Sequence, residues 1–331
     1  MQPETVASST THVARMGMMD DATAGQLAEG STLEQAILQT VAYVDMYDYP
    51  LTVAEIHRYL VCLPATETEV GQALENSHLV RRQLGKDGTY FFLAGREHIV
   101  ETRRKREMVA GRLWPQALTY GRLASAIPYV KMVAVTGSLA VNNVDAAADI
   151  DFLIVTEIGR LWLCRAMIIM LVKLAAKRGV WLCPNYFLST RALHFDDRNL
   201  FSAHEIVQMV PISGRRVFRQ LLEENQWVTD FLPNAYAALQ PLAHATESVP
   251  APLKWGRKVG EAALRTPIGG RIERWEMNRK VSRFSQQPAN ETAFSADFCK
   301  GHFEDHGQRT LNEYASRIEK LAAEPGNVSS E

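Results

Sequence analysis

The 331-residue chain has almost no charge bias: 36 Lys and Arg stand against 37 Asp and Glu, a formal net charge of -1. No global field selects a polyanionic partner, which excludes a histone-like protein or an acidic-tail protein and leaves only local patches. Cysteine is scarce. Cys62, Cys164, Cys183 and Cys299 are scattered without a C-x-x-C pair, so neither a disulfide framework nor a zinc module is expected, and reduced thiols in the cytoplasm are. The most apolar stretch, residues 161–176, is interrupted by Arg165 and Lys173. A spanning helix needs about 20 mostly apolar residues, so this segment predicts an amphipathic helix on a core, and no membrane partner is expected. The first thirty residues lack the apolar run of a signal peptide. Gly269-Gly270 does not have the form of a P-loop, no G-x-G-x-x-G or G-x-S-x-G occurs, and Phe303 stands after His302 where a zinc protease has glutamate. There is no internal repeat.

What is present is a 47% hydrophobic fraction, ample for a packed core, at a length that suggests two or three units. Residues 1–31 read as a disordered tail. From Thr32, apolar residues at helical spacing predict three helices, with Tyr49-Pro50 breaking the first and Thr52 capping the second. Strand-like runs at 79–84 and 89–93 flank Gly85-Lys86-Asp87-Gly88, a hairpin signal. Three helices and a hairpin over 32–95 are the order of a winged helix-turn-helix. A basic helical connector covers 96–130. From Arg96 to Lys131 eight basic residues meet three acidic ones, a local charge of +5, read either as a solvated helix face or as a seat for an anion. Strands and helices then alternate over 131–232, an α/β layer, with a helix expected over 205–210. Residues 233–331 read as a C-terminal helical region, with nine basic and three acidic residues between Lys254 and Arg283 and a last helix over 297–321. The expected class is a multi-domain α+β or α/β protein with a central mixed sheet.

The informative stretch is Val135-Thr136-Gly137-Ser138, ten further residues, then Asp149-Ile150-Asp151-Phe152-Leu153-Ile154-Val155. Alternation on a strand turns Asp149 and Asp151 to one side and Ile150, Phe152 and Ile154 to the other. Two adjacent carboxylates repel and lose solvation unless a cation sits between them. Mg²⁺ accepts one or two protein carboxylates and completes its shell with phosphate oxygens and water. Gly137 permits close backbone approach to a ligand, and Ser138 is expected to open a helix whose free N–H groups hold a phosphate.

In this order the residues resemble the nucleotidyltransferase superfamily that includes DNA polymerase β: a hydrophobic strand, Gly-Ser, a loop of about ten residues, then Asp-hydrophobic-Asp. The runs Tyr43-Val44-Asp45-Met46-Tyr47-Asp48-Tyr49-Pro50 and Cys183-Pro184-Asn185-Tyr186-Phe187-Leu188 are similar to bacterial nucleotidyltransferase-domain proteins with an N-terminal winged helix. The resemblance implies transfer of a nucleoside monophosphate from an NTP to an unidentified acceptor (small molecule, protein or RNA end), with Mg²⁺ or Mn²⁺ on Asp149 and Asp151 as catalytic and metal residues. It implies phosphate binding by Gly137 and Ser138. Arg160 and Lys300 are further phosphate candidates, beside Arg165, and His302 and His306 share a helical spacing.

One departure stands out. Active members usually carry a third carboxylate on a later strand, and the expected strand, 180–189, has none; Asn185 occupies about that place, and an amide cannot take a proton at neutral pH. Asp145, Asp196, Asp197 and Glu205 are the substitutes available, with Asp145 expected at a turn, Asp196 and Asp197 in a polar loop, and Glu205 facing solvent at a helix start. An inactive nucleotide-binding or regulatory protein is therefore the alternative to an enzyme. A DNA-binding regulator is less favoured, because Glu55, Glu67, Glu69 and Glu75 outnumber the bases of the helix-turn-helix interval.

Overall fold

The computed structural model describes residues 32–244, 251–284, 295–300 and 306–323. Three Thr-x-x-Gln/Glu boxes open the first three helices: Thr32 at α1 (Leu33–Asp45), Thr52 at α2 (Val53–Arg58) and Thr66 at α3 (Glu67–Asn76). In each, the threonine hydroxyl accepts an amide three residues on while that residue's side chain returns to the threonine N–H, which satisfies two helix-end donors at once.

The strand expected at 79–84 is instead helix α4 (His78–Gln83), opened by Ser77, whose hydroxyl accepts from the Val80 amide. Local capping overrides the β-prone composition there. The hairpin is formed one step later by β1 (Leu84–Asp87) and β2 (Tyr90–Leu93), antiparallel with Asp87 opposite Tyr90. Leu51 adds a bridge to Phe91.

Helix α5 (His98–Ser125) spans 28 residues, about 42 Å at 1.5 Å per residue, and joins this region to the sheet. At its far end a Cβ on Gly121 would lie 2.3 Å from Ile212 Cδ1, so the helix rests directly on the sheet. The sheet runs in the order β6-β3-β4-β5-β7. Its strands are β3 (Val130–Val135), β4 (Ile150–Thr156), β5 (Leu182–Ser189), β6 (Val210–Ser213) and β7 (Phe298–Lys300). Among the described residues only β4 and β5 are parallel, linked by α7 (Leu161–Ala176). Between β3 and β4 lies a single helical turn, α6 (Gly137–Ala140).

Two expectations fail at the sheet edges. The helix placed at 205–210 is α8 (Leu200–Gln208), and the residues after it form β6 against β3. The segment at 297–321 is not one helix: Phe298–Lys300 pairs antiparallel with β5, and the helix is α14 (His306–Ala323). Both edge strands are too short for a periodic signature and exist because a neighbouring strand offers its free backbone groups. Since β7 comes from residues near the C-terminus, the sheet is not confined to 131–232. The remaining elements are α9 (Arg215–Glu224), α10 (Val228–Phe231), α11 (Pro233–His244), α12 (Ala251–Leu264) and α13 (Pro267–Phe284).

The central strands are dry on both faces. Val133, Val135, Phe152 and Ile154 pack with α5 and α7 on one side. Met132, Ala134, Leu153 and Val155 join a second cluster that runs through α8 to α1, α2 and α3. The N-terminal helices therefore share a core with one face of the sheet. Four free cysteines agree with reduced thiols, and among the described residues no helix is long and apolar enough to cross a membrane.

Candidate functional site

Asp149 immediately precedes β4 and Asp151 is its second residue, on the same alternation as Leu153 and Val155. Asp149 is exposed and Asp151 half-buried. The turn after β3 comes up against the pair. Gly137 adopts φ +65°, and a Cβ there would sit 2.5 Å from Asp151 Oδ2. A side chain at 137 would thus be strained and would strike the carboxylate, which is the physical requirement for glycine. The Thr136 amide donates to the Asp151 carbonyl at 3.1 Å, fixing the turn to the strand, while Thr136 Oγ1 is buried without a partner.

On the other side stands Asn185. The register between β4 and β5 breaks at Phe152/Leu153, beside Pro184, because proline supplies no ladder N–H and forces a bulge. The Asn185 Nδ2 group donates to Asp151 Oδ1 at 2.8 Å, and the Cys183 thiol donates to Asn185 Oδ1 at 2.8 Å. Asn185 thus takes the place beside the carboxylate pair that the sequence suggested. Burial pushes the Asp151 carboxyl up to about 6, with the Asp149 charge adding to the rise and the Asn185 hydrogen bond opposing it. Burial and the two aspartates push the Cys183 thiol up to about 12, so it is a packed hydrogen-bond donor rather than a nucleophile.

Among the described residues no set of three His, Cys, Asp or Glu side chains is arranged to hold a metal. The donor set is two carboxylates with an adjoining amide. Those hard oxygens suit a divalent cation that keeps waters and phosphate oxygens in its shell, and the raised Asp151 carboxyl marks a place where a cation would relieve the pair.

The other candidates are dispersed. Ser138 belongs to a helical turn of four residues, so the expected helix-terminus phosphate site reduces to the turn itself. Arg160 lies beyond the opposite end of β4, about 20 Å along the strand at roughly 3.3 Å per residue, with its guanidinium 4.9 Å from the Tyr129 ring centroid. Arg165 stacks near Trp162 and Phe187 on α7. Neither belongs with the aspartates. The Lys300 backbone pairs with Tyr186, next to Asn185, which brings that residue to the same end of the sheet. His302 lies outside the described residues. Asp145 is exposed and pairs with Arg106 at 2.9 Å; Asp196 and Asp197 are exposed in a loop, as expected. Glu205 departs from expectation: it sits within α8 rather than at a helix start, is half-buried, and lines a cavity.

That cavity, about 380 Å³, lies between α1 with its following turn, α6 and α8. Gly137 and Ser138 form part of its wall, together with Tyr43, Tyr47, Phe201 and His204. Residues 43–50 turn out to be the joint between the N-terminal helices and the sheet. The Tyr47 carbonyl accepts from Arg106 Nη1 at 2.8 Å and from Asn143 Nδ2 at 2.9 Å, and the Tyr49 hydroxyl lies 2.9 Å from the Val141 carbonyl. No local pattern marks this cavity, because its walls come from segments a hundred residues apart. The aromatic density of residues 43–49 is the one signal that could have drawn attention to it.

No protein-family model matches the chain, and neither a curated protein nor a solved structure matches it. The functional reading therefore rests on the site's own geometry.

Proposed function

We propose that the chain is a divalent-metal-dependent nucleotidyltransferase, taking an NTP and passing its nucleoside monophosphate to an acceptor. The observation that carries this reading is the contact of Gly137 with the Asp151 carboxylate, which puts the Gly-Ser turn and the aspartate pair in one place. In this reading Asp149 and Asp151 hold Mg²⁺, which would neutralise charge gathering on the phosphates. Gly137 and Ser138 give the phosphate chain a turn without steric bulk. An acceptor oxygen forms a bond to the α-phosphorus, the bond from that phosphorus to the bridging oxygen breaks, and pyrophosphate leaves with the electron pair. The acceptor's proton passes to water or a nearby carboxylate.

A second reading is favoured by one observation: Asn185 stands beside Asp151 where a proton-accepting carboxylate would serve. On it the protein binds nucleotide without turnover. The N-terminal helices and hairpin suit a winged helix. Its exposed face on α3 carries Glu67, Glu69 and Glu75, which supports a role in closing the cavity over one in binding DNA.

Isothermal titration of each NTP with Mg²⁺ tests the site. Wild type should bind at least one NTP in a metal-dependent way, and the Asp149→Asn, Asp151→Asn double variant should lose that binding. Equal binding by both proteins, or binding by neither, sinks the reading. Pyrophosphate release in the presence of acceptors then separates enzyme from inactive binder.

A further inference from the structure

Helices α12 and α13 have an inner side and an outer side of different character. The inner sides are fixed to one corner of the sheet. There the Tyr129 hydroxyl donates to the Glu261 carbonyl at 2.6 Å, and Glu273 accepts the amides that open α7. Because both helices seat on that corner, their outer sides turn away from it. The outer side of α12 carries Trp255 and Val259, and that of α13 carries Ile268, Ile272 and Trp275, all exposed. Spacings of i, i+4 and i+7 put each set on one helix face. A helix of this pattern buries its apolar stripe against something, yet Trp255 here is 70% exposed.

The charges sort in the same way. Residues 251–284 contain three acids, Glu261, Glu273 and Glu276, and each is buried or half-buried. Glu261 pairs with Arg257 at 2.9 Å and Glu276 with Arg279 at 2.6 Å. Lys258, Arg265, Arg271 and Arg274 are exposed, so among the described side chains of these two helices the outer face carries bases and no acid. Its charge complements an anionic surface, and its indoles and aliphatic chains fit an interface that is apolar underneath.

We propose that the outer face of α12 and α13 docks on an anionic lipid surface, a peripheral contact that needs no spanning helix. Two other occupants fit less well. An RNA would engage the bases and the indoles, but Val259, Ile268 and Ile272 offer nothing to a phosphate or a stacked base. A second copy meeting this face with its own would bring two sets of like charges together. The inference does not rest on the nucleotidyl-transfer reading. Gly269 of α13 lies against Arg160, which stands beyond the opposite end of β4 from the aspartate pair.

Co-sedimentation of the full chain with vesicles tests the proposal. Vesicles of phosphatidylcholine with about one-third phosphatidylglycerol should bind the protein about ten-fold or more tightly than pure phosphatidylcholine, and added salt should release it. The Arg271→Glu, Arg274→Glu variant should lose about ten-fold in affinity, and Ile268→Ser, Trp275→Ser several-fold. The Asp149→Asn, Asp151→Asn variant should bind vesicles like wild type, which separates failure of this idea from failure of the nucleotide site. Equal binding of wild type to both vesicle types, or to neither, overturns the proposal even if a variant does not fold. So does undiminished vesicle binding by folded Arg271→Glu, Arg274→Glu. Tighter retention of a mixed-sequence single-stranded RNA at equal phosphate concentration overturns it in favour of nucleic acid. A dimer in sedimentation velocity that Ile268→Ser, Trp275→Ser dissociates overturns it in favour of self-contact.

Discussion

Two stretches of this chain carry nearly the same excess of positive charge, yet they bury charges of opposite sign. In the first, residues 96–131, the buried charge is a base, while Arg104, Lys105, Arg112 and Arg122 stay exposed. Arg103 is buried between the rings of Tyr49 and Tyr90, at 4.4 and 4.7 Å, and pairs with Glu55 and Glu107 at 2.8 Å. Arg96 bridges Asp45 and Asp48, and Arg106 holds Asp145. In α12 and α13 the acids point inward instead. Glu273 accepts the Trp162 and Leu163 amides at 3.0 and 2.6 Å, capping the start of α7, and Glu261 accepts the Tyr129 amide at 3.2 Å. Arg265, Arg271 and Arg274 stay exposed, beside Trp275 at 63% and Ile268 at 62% exposure. The buried sign follows what the neighbour lacks. Helix α5 meets an acidic set of helices, whereas α12 and α13 meet orphan N–H groups that need a carboxylate.

The sharpest way to break this contrast is Arg103→Met. It removes two ion pairs and leaves Glu55 without its base, so the full chain should lose about 3–5 kcal/mol in urea unfolding. A loss below about 1 kcal/mol would make α5 no different from the C-terminal helices. The deficit should depend on pH. Burial raises the Glu55 carboxyl, but Arg103 and Thr52 outweigh it and hold the group below the usual 4.5. The pair's stabilisation is thus complete above the unfolded value and fades as pH falls through the lower folded one, so variant and wild type should converge in acid.

Asp151 supplies the opposite case, an acid half-buried without a base. Its carboxyl, pushed up to about 6, keeps its proton more firmly when folded. The resulting penalty is absent below the unfolded value of 3.8, grows as pH rises from there to about 6, and is complete above it. Without added metal, Asp151→Asn should therefore stabilise the protein by about 1–2 kcal/mol at pH 8 and by nothing measurable near pH 3.5. Melting temperatures at both pH values check this, and a destabilised variant at pH 8 would show that the Asn185 and Gly137 contacts outweigh the charge. The smallest effect belongs to Arg274→Glu on the exposed face of α13. A change within about 0.5 kcal/mol is expected from the same urea measurement; a larger one would mean that this face has a structural partner.

Much of this was legible before any coordinates. The capping threonine Thr52, the buried strands around Val135 and Ile154, the amphipathic helix α7, and the grouping of Gly137, Ser138, Asp149 and Asp151 all depend on residues close in sequence. Asn185 as neighbour of the pair was legible too, once a later strand was expected there. What was not legible has one common cause. Strands β6 and β7 and the cavity placement of Glu205 depend on which segments meet across long separations. The aspartate pair and its glycine turn are thus a local property of the chain, written in alternation and in the steric freedom of one residue. The sign of the charge each helix buries, and the aromatic cavity beside Ser138, were decided only by packing, because a side chain's burial depends on the partner it meets and not on its own neighbours in sequence.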